Sequence, residues 1–371
     1  MKRRGLMIIH HFRPGPTGGA EIQAERLAQK LVELGHPIQV LTRLTVPEAL
    51  PEETSLGVKI HRVDFPLAYC VTTEVENTFK FLVKRRHTFD VLHAHMAYGH
   101  AVVAVVVARS FRKKCIIKIA CLGEYGDMYN FSQCPRFNWA LEILHQADAL
   151  VAISRDVEAD LLRWGFPPER IHRIPNGVNT AYFQPSDTSP PRHPVRFILM
   201  GRRHPQKGLD LALQAAHLLK AQGLSEQFHI SFYGAEYPEH DYEGMAQQLG
   251  VSDNVAFFPF QKQVLDIYQT AHCLILPSRG EGLSNALLEA MATALPVIAT
   301  QVSGTVDVVT DGEDGLLIPP EAPEALAKAM ATVIQQPDLA RRLGQQARQK
   351  MLRAFSLDSV AQQYSELYAS L

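Results

Sequence analysis

The stretch Leu276–Thr300, LPSRGEGLSNALLEAMATALPVIAT, carries the pattern that decides the fold of this chain. An apolar run ends at Leu276, a glycine-containing loop and an amphipathic segment follow, and a second apolar run begins at Val297. A strand, a loop, a helix and a further strand in this order form the repeating unit of a parallel α/β sheet. Ser284 or Asn285 can cap the helix, whose first N–H groups and positive dipole end make an anion site.

Two glutamates frame that anion site. Glu281 comes before the helix, and Glu289 lies about one turn inside it. One carboxylate therefore stands beside a bound anion, and the other can reach groups bound further along, such as ribose hydroxyls. The same spacing also fits a surface loop with two solvated glutamates.

A second cluster is the basic turn Gly201–Gly208, which follows a predicted strand and opens a predicted helix. Arg202 and Lys207 can flank a diphosphate, the arginine as a planar fork and the lysine as a point charge. Two cations and a helix N-terminus can neutralise a leaving diphosphate without Mg²⁺, and the sequence has no Asp-x-Asp motif to hold that metal. A basic turn that only caps a helix is the alternative.

Two shorter motifs lie in the first half of the chain. Gly18 and Gly19 follow the first predicted strand, where glycines permit close backbone approach to a phosphate or sugar or simply make a tight turn. Their spacing is not the G-x-G-x-x-G fingerprint of nicotinamide or flavin sites. His93 and His95 end another strand, so alternation places both rings on one face. We expect His93 to be packed and His95 to be exposed to a substrate, and no third ligand nearby indicates zinc.

Apolar runs and amphipathic segments alternate along the rest of the chain. Strands are predicted at 6–9, 38–42, 91–94, 116–120, 149–153, 195–200, 229–233, 255–258, 273–276 and 297–299, and helices at 21–34, 74–86, 156–164, 209–222, 286–293, 323–334 and 356–371. This alternation predicts an α/β fold of two Rossmann-like, doubly wound domains that face each other across a cleft. The predicted boundaries are 1–180 for the first domain, 181–194 for a proline-rich linker and 195–355 for the second domain. The last helix, 356–371, is expected to pack back on the first domain.

The composition is that of a globular chain of 371 residues, with 46% hydrophobic positions and a net charge of −1. A balanced charge argues against a dedicated nucleic-acid-binding protein. The charge is unevenly divided, because residues 1–180 carry 23 basic and 18 acidic side chains and the remainder is net acidic. Such asymmetry indicates that the two halves meet different partners.

The cysteine pattern and the N-terminal sequence predict a cytoplasmic protein. The five cysteines are Cys70, Cys115, Cys121, Cys134 and Cys273. Their odd number and the absence of C-x-x-C spacing favour reduced thiols. His10, His11 and Arg13 interrupt the apolar stretch that a signal peptide needs. The longest apolar run, 101–108, is far shorter than the ~18 residues of a membrane span.

Six motifs together resemble the retaining GT-B glycosyltransferases of family four, in the same order and over nearly the whole chain. They are Gly18–Glu21, His93–His95, Ala152–Ser154, Ile174–Val178, Gly201–Gly208 and Glu281–Glu289. The resemblance implies a retaining enzyme that moves a sugar from a nucleotide diphosphate sugar, UDP- or GDP-linked, to a hydroxyl acceptor. That acceptor would be a glycan, a lipid-linked compound or a small molecule, and no metal or other cofactor is implied.

The resemblance also implies roles for individual residues. Arg202 and Lys207 would bind the diphosphate, Glu289 the ribose hydroxyls and Glu281 the transferred sugar. The backbone amides that would bind phosphate or sugar belong to Gly282, Leu283, Ser284 and Asn285.

The first domain would contribute to the same reaction. Gly19, with Gly18 beside it, would approach the diphosphate. His95 would touch the sugar near the anomeric centre.

The sequence leaves several alternatives open. Glu281 could act as a carboxylate nucleophile, as in retaining hydrolases, instead of positioning the sugar. A sugar-nucleotide 2-epimerase shares the two-domain architecture, and a non-catalytic nucleotide-sugar sensor would bind the same donor. Basic and apolar residues stand side by side at 79–86 and 109–114, which fits peripheral docking on an anionic membrane surface or ordinary solvated helix faces.

Overall fold

A computed structural model describes residues 2–15, 18–46, 49–63, 72–123, 126–187 and 193–371. The chain divides into two compact units. The first unit comprises Met1–Gly177 together with Leu357–Leu371, and the second comprises Val178–Ser356.

The first unit is built on an eight-stranded sheet in the order β3-β4-β2-β1-β5-β6-β7-β8. Its strands are β1 (Gly5–Ile8), β2 (Ile38–Arg43), β3 (Glu52–Ser55), β4 (Val58–Val63), β5 (Val91–His95), β6 (Lys114–Ile119), β7 (Ala149–Ala152) and β8 (Ile171–Arg173). All neighbouring strands are parallel except β3, which runs antiparallel to β4 at the edge. Sequence patterning missed β3 because an edge strand with exposed side chains has no apolar run.

Helices cover this sheet. They are α1 (Gly19–Glu33), α2 (Thr72–Lys84), α3 (Gly99–Ser110), α4 (Asp127–Ser132), α5 (Phe137–Leu144), α6 (Arg155–Arg163) and α14 (Leu357–Ser370). The apolar run 101–108 lies in α3 and is nearly all buried, which explains its composition. The chain returns to this unit through α14, which packs beside α1 and buries Tyr364 and Tyr368 completely.

The second unit contains a six-stranded parallel sheet in the order β11-β10-β9-β12-β13-β14. Its strands are β9 (Val195–Met200), β10 (Phe228–Tyr233), β11 (Val255–Phe258), β12 (Cys273–Leu276), β13 (Val297–Thr300) and β14 (Leu316–Ile318). Its helices are α7 (Leu209–Ala221), α8 (Tyr242–Gln248), α9 (Leu265–Thr270), α10 (Asn285–Ala292), α11 (Thr305–Val308), α12 (Pro323–Gln335) and α13 (Pro337–Lys350). The expectation of two parallel-sheet α/β domains is confirmed.

The structure also bears on the expectations about the cysteines and about membrane-spanning helices. Cys115, Cys121 and Cys273 are reduced thiols, but Cys134 forms a disulfide bond. The expectation of reduced thiols throughout is therefore wrong at Cys134, because disulfide pairing depends on the distance between Cα atoms in the fold and not on sequence spacing. Within the described ranges, no helix combines the length and apolarity needed to cross a bilayer.

Candidate active site

The two loops singled out from the sequence lie at the point where the strand order of the second sheet reverses. Strand β9 pairs with β10 on one side and with β12 on the other. In doubly wound sheets, ligands bind outside the carboxyl ends of the strands at such a reversal. The loop 201–208 follows β9 and the loop 277–284 follows β12, so both start at this edge.

An ion pair joins the two loops. Lys207 Nζ lies 2.6 Å from Glu281 Oε1, and the two side chains are 16% and 7% exposed. The Ser278 hydroxyl donates to the same carboxylate oxygen at 2.7 Å. The structure therefore brings together the lysine expected to bind the diphosphate and the glutamate expected to contact the sugar.

The two adjacent arginines of the first loop have different surroundings. Arg203 is buried, donates to Glu243 at 2.7 Å and lies 5.1 Å over the ring of Phe257. Arg202 is exposed. Arg203 therefore anchors the loop, whereas the Arg202 guanidinium faces solvent, where a ligand can reach it.

Hydrogen bonds that the sequence did not indicate fix the loops to each other. The Gln206 side chain donates to the Gly280 carbonyl at 2.9 Å, and the Arg279 amide donates to the Gln206 carbonyl at 2.8 Å. The Arg279 guanidinium bonds both oxygens of Asp210, at 2.9 and 2.7 Å, which raises the pKa of Arg279. Arg279 stands inside the stretch that decides the fold, but its partner is 69 residues away and no local pattern connects them.

Helix α10 begins at the same edge and carries the second glutamate. Ser284 is its N-cap, and its hydroxyl accepts from the Leu287 amide at 3.5 Å. Gly282, Leu283 and Ser284 lead into the helix, and Asn285 is its first residue. Glu289 is largely buried, and its Oε2 accepts a hydrogen bond from the Tyr268 hydroxyl at 3.1 Å. Tyr268 is a site residue that sequence reasoning missed, because it comes from a separate helix, α9.

Two glycines allow backbone segments to meet around this edge. Gly208 has φ +67°, and a Cβ there would lie 2.0 Å from the Pro277 carbonyl oxygen. Gly304 has φ +75°, and a Cβ there would lie 1.9 Å from the Gly282 carbonyl oxygen. Both positions need glycine for conformation and for space, so the backbone at Pro277 and Gly282 is packed directly against neighbouring loops.

The first unit places His95 differently from the expectation. His95 ends β5, but only 2% of it is exposed, so the expectation of an exposed ring is wrong. Its ring stacks on His93 with centroids 4.5 Å apart, and His93 Nδ1 lies 3.1 Å from the Tyr368 hydroxyl. Tyr364 and Tyr368 of α14 lie against the His93 ring, with centroids 5.4 and 6.0 Å from it, and His95 is buried as the stacked neighbour of that ring cluster. Burial lowers the pKa of His93 to about 3 and holds that of His95 well below its usual value, so both imidazoles are neutral.

Two further ionisable groups of the first unit, Lys118 and Asp127, are buried and were not singled out from the sequence. Lys118 stands in register with His95 on the next strand and donates to Asn176 Oδ1 at 2.9 Å. Burial lowers the pKa of this lysine to about 8. Asp127 accepts from the Ala120 amide at 2.8 Å, and burial raises the pKa of its carboxyl to about 7.

The glycine loop of the first unit opens α1. The Gly18 amide donates to Glu21 Oε2 at 2.9 Å, and Gly19 is the first residue of the helix. Residues 16 and 17 of this loop lie outside the described part of the chain. Gly18, Gly19 and His95 belong to the first unit, whereas the residues of 202–289 named above belong to the second.

Comparison with protein-family models gives two matches. Residues 184–350 match the model described as glycosyl transferases group 1. Residues 18–177 match the model described as glycosyl transferase 4-like domain. One match lies in each unit, and the two do not overlap.

Individual relatives agree with these models. EpsD of Bacillus subtilis (strain 168), which bears a glycosyltransferase name, is 30% identical over 305 residues, which is 76% of this chain and 77% of that protein. A D-inositol 3-phosphate glycosyltransferase of Streptomyces bingchenggensis is 29% identical over 99% of this chain and 89% of that protein.

Solved structures with the same fold cover the whole chain. Sucrose-phosphate synthase from Thermosynechococcus elongatus superposes with a TM-score of 0.81 at 23% identity over 100% of this chain and 99% of that one. Anabaena HepE in complex with UDP also gives 0.81, at 19% identity over 99% and 100%. These neighbours identify the fold as GT-B.

Proposed function

The chain belongs to the group 1, GT4-like glycosyltransferases, and we propose that it transfers a sugar, with retention of configuration, from a nucleotide diphosphate sugar to a hydroxyl acceptor. The observation that carries the proposal is the contact between Lys207 and Glu281 at the strand reversal, with Glu289 a turn further along α10. This arrangement puts a cation, a helix N-terminus and two carboxylates at one edge.

The donor follows from that chemistry. Arg202, Lys207 and the amides at 282–285 supply positive charge and N–H groups for a diphosphate, and Glu289 supplies a carboxylate for ribose hydroxyls. HepE of Anabaena has been seen with UDP and with UDP-glucose. We therefore propose a UDP-linked sugar as the first donor to test, with GDP-linked sugars as the second group.

Stabilisation of the leaving diphosphate is the main catalytic effect we propose. As the sugar–phosphate bond breaks, negative charge grows on the diphosphate, and each preorganised donor aimed at it is worth ~3–4 kcal/mol by analogy with oxyanion holes. Retention follows if the acceptor hydroxyl attacks from the face of the leaving group and gives its proton to the departing phosphate. In this proposal Arg202 and Lys207 provide the charge and no metal is required.

Glu281 is proposed as a group that positions the sugar. Its Oε1 already accepts two hydrogen bonds, one from an ammonium, which lowers its nucleophilicity. E281Q keeps the shape and one acceptor oxygen, whereas E281A removes both. We expect E281Q to retain more activity than E281A, and a glycosyl group trapped on Glu281 would refute the positioning role.

A thermal-shift panel of nucleotides and nucleotide sugars tests the donor. At 100 times Kd, a ligand that binds the folded chain adds ~2.7 kcal/mol of stability. R202M and K207M should lose most of this effect. K328M, which removes an exposed lysine from α12, should keep it. No stabilisation by any nucleotide sugar would refute the proposal.

Analysis of the products separates transfer from the alternatives. A new glycoside with release of nucleotide diphosphate supports the proposal. Release of the diphosphate with an epimerised sugar indicates the 2-epimerase, and binding without turnover indicates a sensor.

The first unit is proposed to bind the acceptor, with Gly19 near the diphosphate and His95 at the sugar. Since His95 is buried and neutral, it would act as an uncharged hydrogen-bonding group. H95A should reduce turnover more than it reduces affinity for UDP, and equal losses would contradict a role at the sugar.

We also propose peripheral docking on the inner face of an anionic membrane, where a lipid-linked acceptor is available. Helices α2 and α3 pack together, and Phe79, Lys80, Arg109 and Arg112 are exposed on them or just beyond α3. Each basic residue near such a surface is worth ~1 kcal/mol. Flotation with phosphatidylglycerol vesicles should show binding that high salt abolishes, and no salt-sensitive binding would refute docking.

A further inference from the structure

Ser278 holds the carboxylate of Glu281 from within the protein. It follows β12, is fully buried, and its hydroxyl donates to Glu281 Oε1 at 2.7 Å. The backbone of Ser278 is itself fixed, because its carbonyl oxygen accepts from the Thr300 hydroxyl at 2.5 Å at the end of β13. The hydroxyl is thus presented to Glu281 by two neighbouring strands.

The second donor to the same oxygen, Lys207, is also expected to bind the diphosphate. Lys207 Nζ lies 2.6 Å from Oε1, but its side chain is 16% exposed and belongs to the loop proposed to bind the diphosphate. When a diphosphate arrives, its charge competes with Glu281 for the ammonium. The neutral, buried hydroxyl of Ser278 has no such competitor.

We propose that Ser278 is a positioning residue that keeps Glu281 in place when Lys207 turns to the diphosphate, so that the carboxylate meets the sugar of the donor in a fixed orientation. Both donors converge on Oε1, which leaves Oε2 for the sugar hydroxyls. This inference rests on the proposed function, and it gives the two residues separate roles. Lys207 binds the diphosphate, and Ser278 acts only on the contact between Glu281 and the sugar.

These separate roles predict that loss of the Ser278 hydroxyl changes the affinities for a nucleotide and for a nucleotide sugar differently. UDP contains the diphosphate but no sugar, so the loss of the Ser278 hydroxyl should leave its affinity unchanged. UDP-glucose, or whichever nucleotide sugar the unaltered protein binds, also needs Glu281. We expect S278A to weaken binding of the nucleotide sugar about 10-fold relative to the matching nucleotide, the low end of the effect of one hydrogen bond to a charged group. S278T keeps a hydroxyl, so the ratio of the dissociation constants of nucleotide sugar and nucleotide should stay as in the unaltered protein. K207M should weaken the binding of both ligands.

The experiment is calorimetric titration of nucleotide and nucleotide sugar into the full chain and its variants. S154A is the matched control, because Ser154 is a buried helix cap in the first unit and its loss should not change the ratio of the two dissociation constants. If S278A does not fold, T300V, which releases the Ser278 carbonyl, should raise the ratio in the same direction.

The outcomes distinguish this inference from the proposed function. A ratio raised in S278A and restored in S278T supports the positioning role. An unchanged ratio, or an equal loss for both ligands, refutes it while leaving the proposed function intact. If the unaltered protein binds no nucleotide sugar, the proposed function fails, and the positioning role fails with it.

Discussion

Replacing Lys207 by methionine tests the contact on which the site depends. The substitution keeps an unbranched side chain one atom shorter and removes its charge, so the largely buried Glu281 loses its cationic partner. Breaking a buried pair in this way costs about 3–5 kcal/mol. We expect about 3 kcal/mol, the low end, because the Ser278 hydroxyl still donates to the same oxygen.

The reverse substitution should cost less. In E281Q the ammonium is left without its carboxylate, but Lys207 is 16% exposed and can turn toward water, so we expect about 1 kcal/mol. In the double variant K207M/E281Q neither charge remains, and the cost should be about 2 kcal/mol. The costs of the two single variants therefore exceed that of the double variant by about 2 kcal/mol, which is the coupling energy.

Urea unfolding followed by far-UV circular dichroism measures these free energies by linear extrapolation. Urea is uncharged, so it does not screen the pair. K328M is the control for removal of a lysine and should stay within about 0.5 kcal/mol of the unaltered protein. If the costs of K207M and E281Q add to that of the double variant within about 0.5 kcal/mol, the two side chains do not interact in the free protein and the reasoning is refuted.

Three further predictions concern steric fit and buried charge. At φ +75°, the added Cβ of G304A would lie 1.9 Å from the Gly282 carbonyl oxygen, whereas that of G312A, at φ +72°, meets open space. We expect the free energy of unfolding to fall by about 1 kcal/mol in G312A and by at least about 3 kcal/mol in G304A. Equal losses would contradict the close approach at Gly304. The folded pKa of Lys118, about 8, lies below the unfolded value of 10.5, so the unfolded chain binds more protons between these values and stability rises with pH. K118M should therefore be more stable than the unaltered protein by about 3 kcal/mol below pH 8 and lose this advantage as the pH approaches 10.5. Unfolding can be followed by the fluorescence of the two tryptophans, which both lie in the first unit. The pKa of Asp127 is raised from 3.8 to about 7, so the folded chain binds more protons between these values and stability falls as pH rises through them. D127N can still accept from the Ala120 amide and should remove this fall, and an unchanged pH profile would show that Asp127 is not its source.

Much of the fold could be predicted from the sequence because it depends on periodicity. The strands β9, β11 and β12 end where the apolar runs end, and Ser284 was one of two residues expected to cap α10. The antiparallel edge strand β3 and the disulfide at Cys134 could not be predicted, since neither has a local pattern of its own.

In the candidate site, too, the residue types were predictable from the sequence but their surroundings were not. The residue types and their order along the chain indicated Arg202, Lys207, Glu281 and Glu289, and the structure places Lys207 against Glu281. The surroundings were not predictable. Tyr268 reaches Glu289 from another helix. His95 is buried and stacks on His93, whose ring lies against two tyrosines that α14 brings from the end of the chain.

The sequence by itself determined the alternation of strands and helices and the positions of the loops at 201–208 and 277–284, because these depend on neighbours within a turn or two. The tertiary structure decided which of two adjacent arginines is buried and that residues 74 positions apart share an ion pair. The physical reason is the placement of β12 beside β9, which brings the loops after both strands to one edge of the sheet. Such contacts arise only once the sheet has formed.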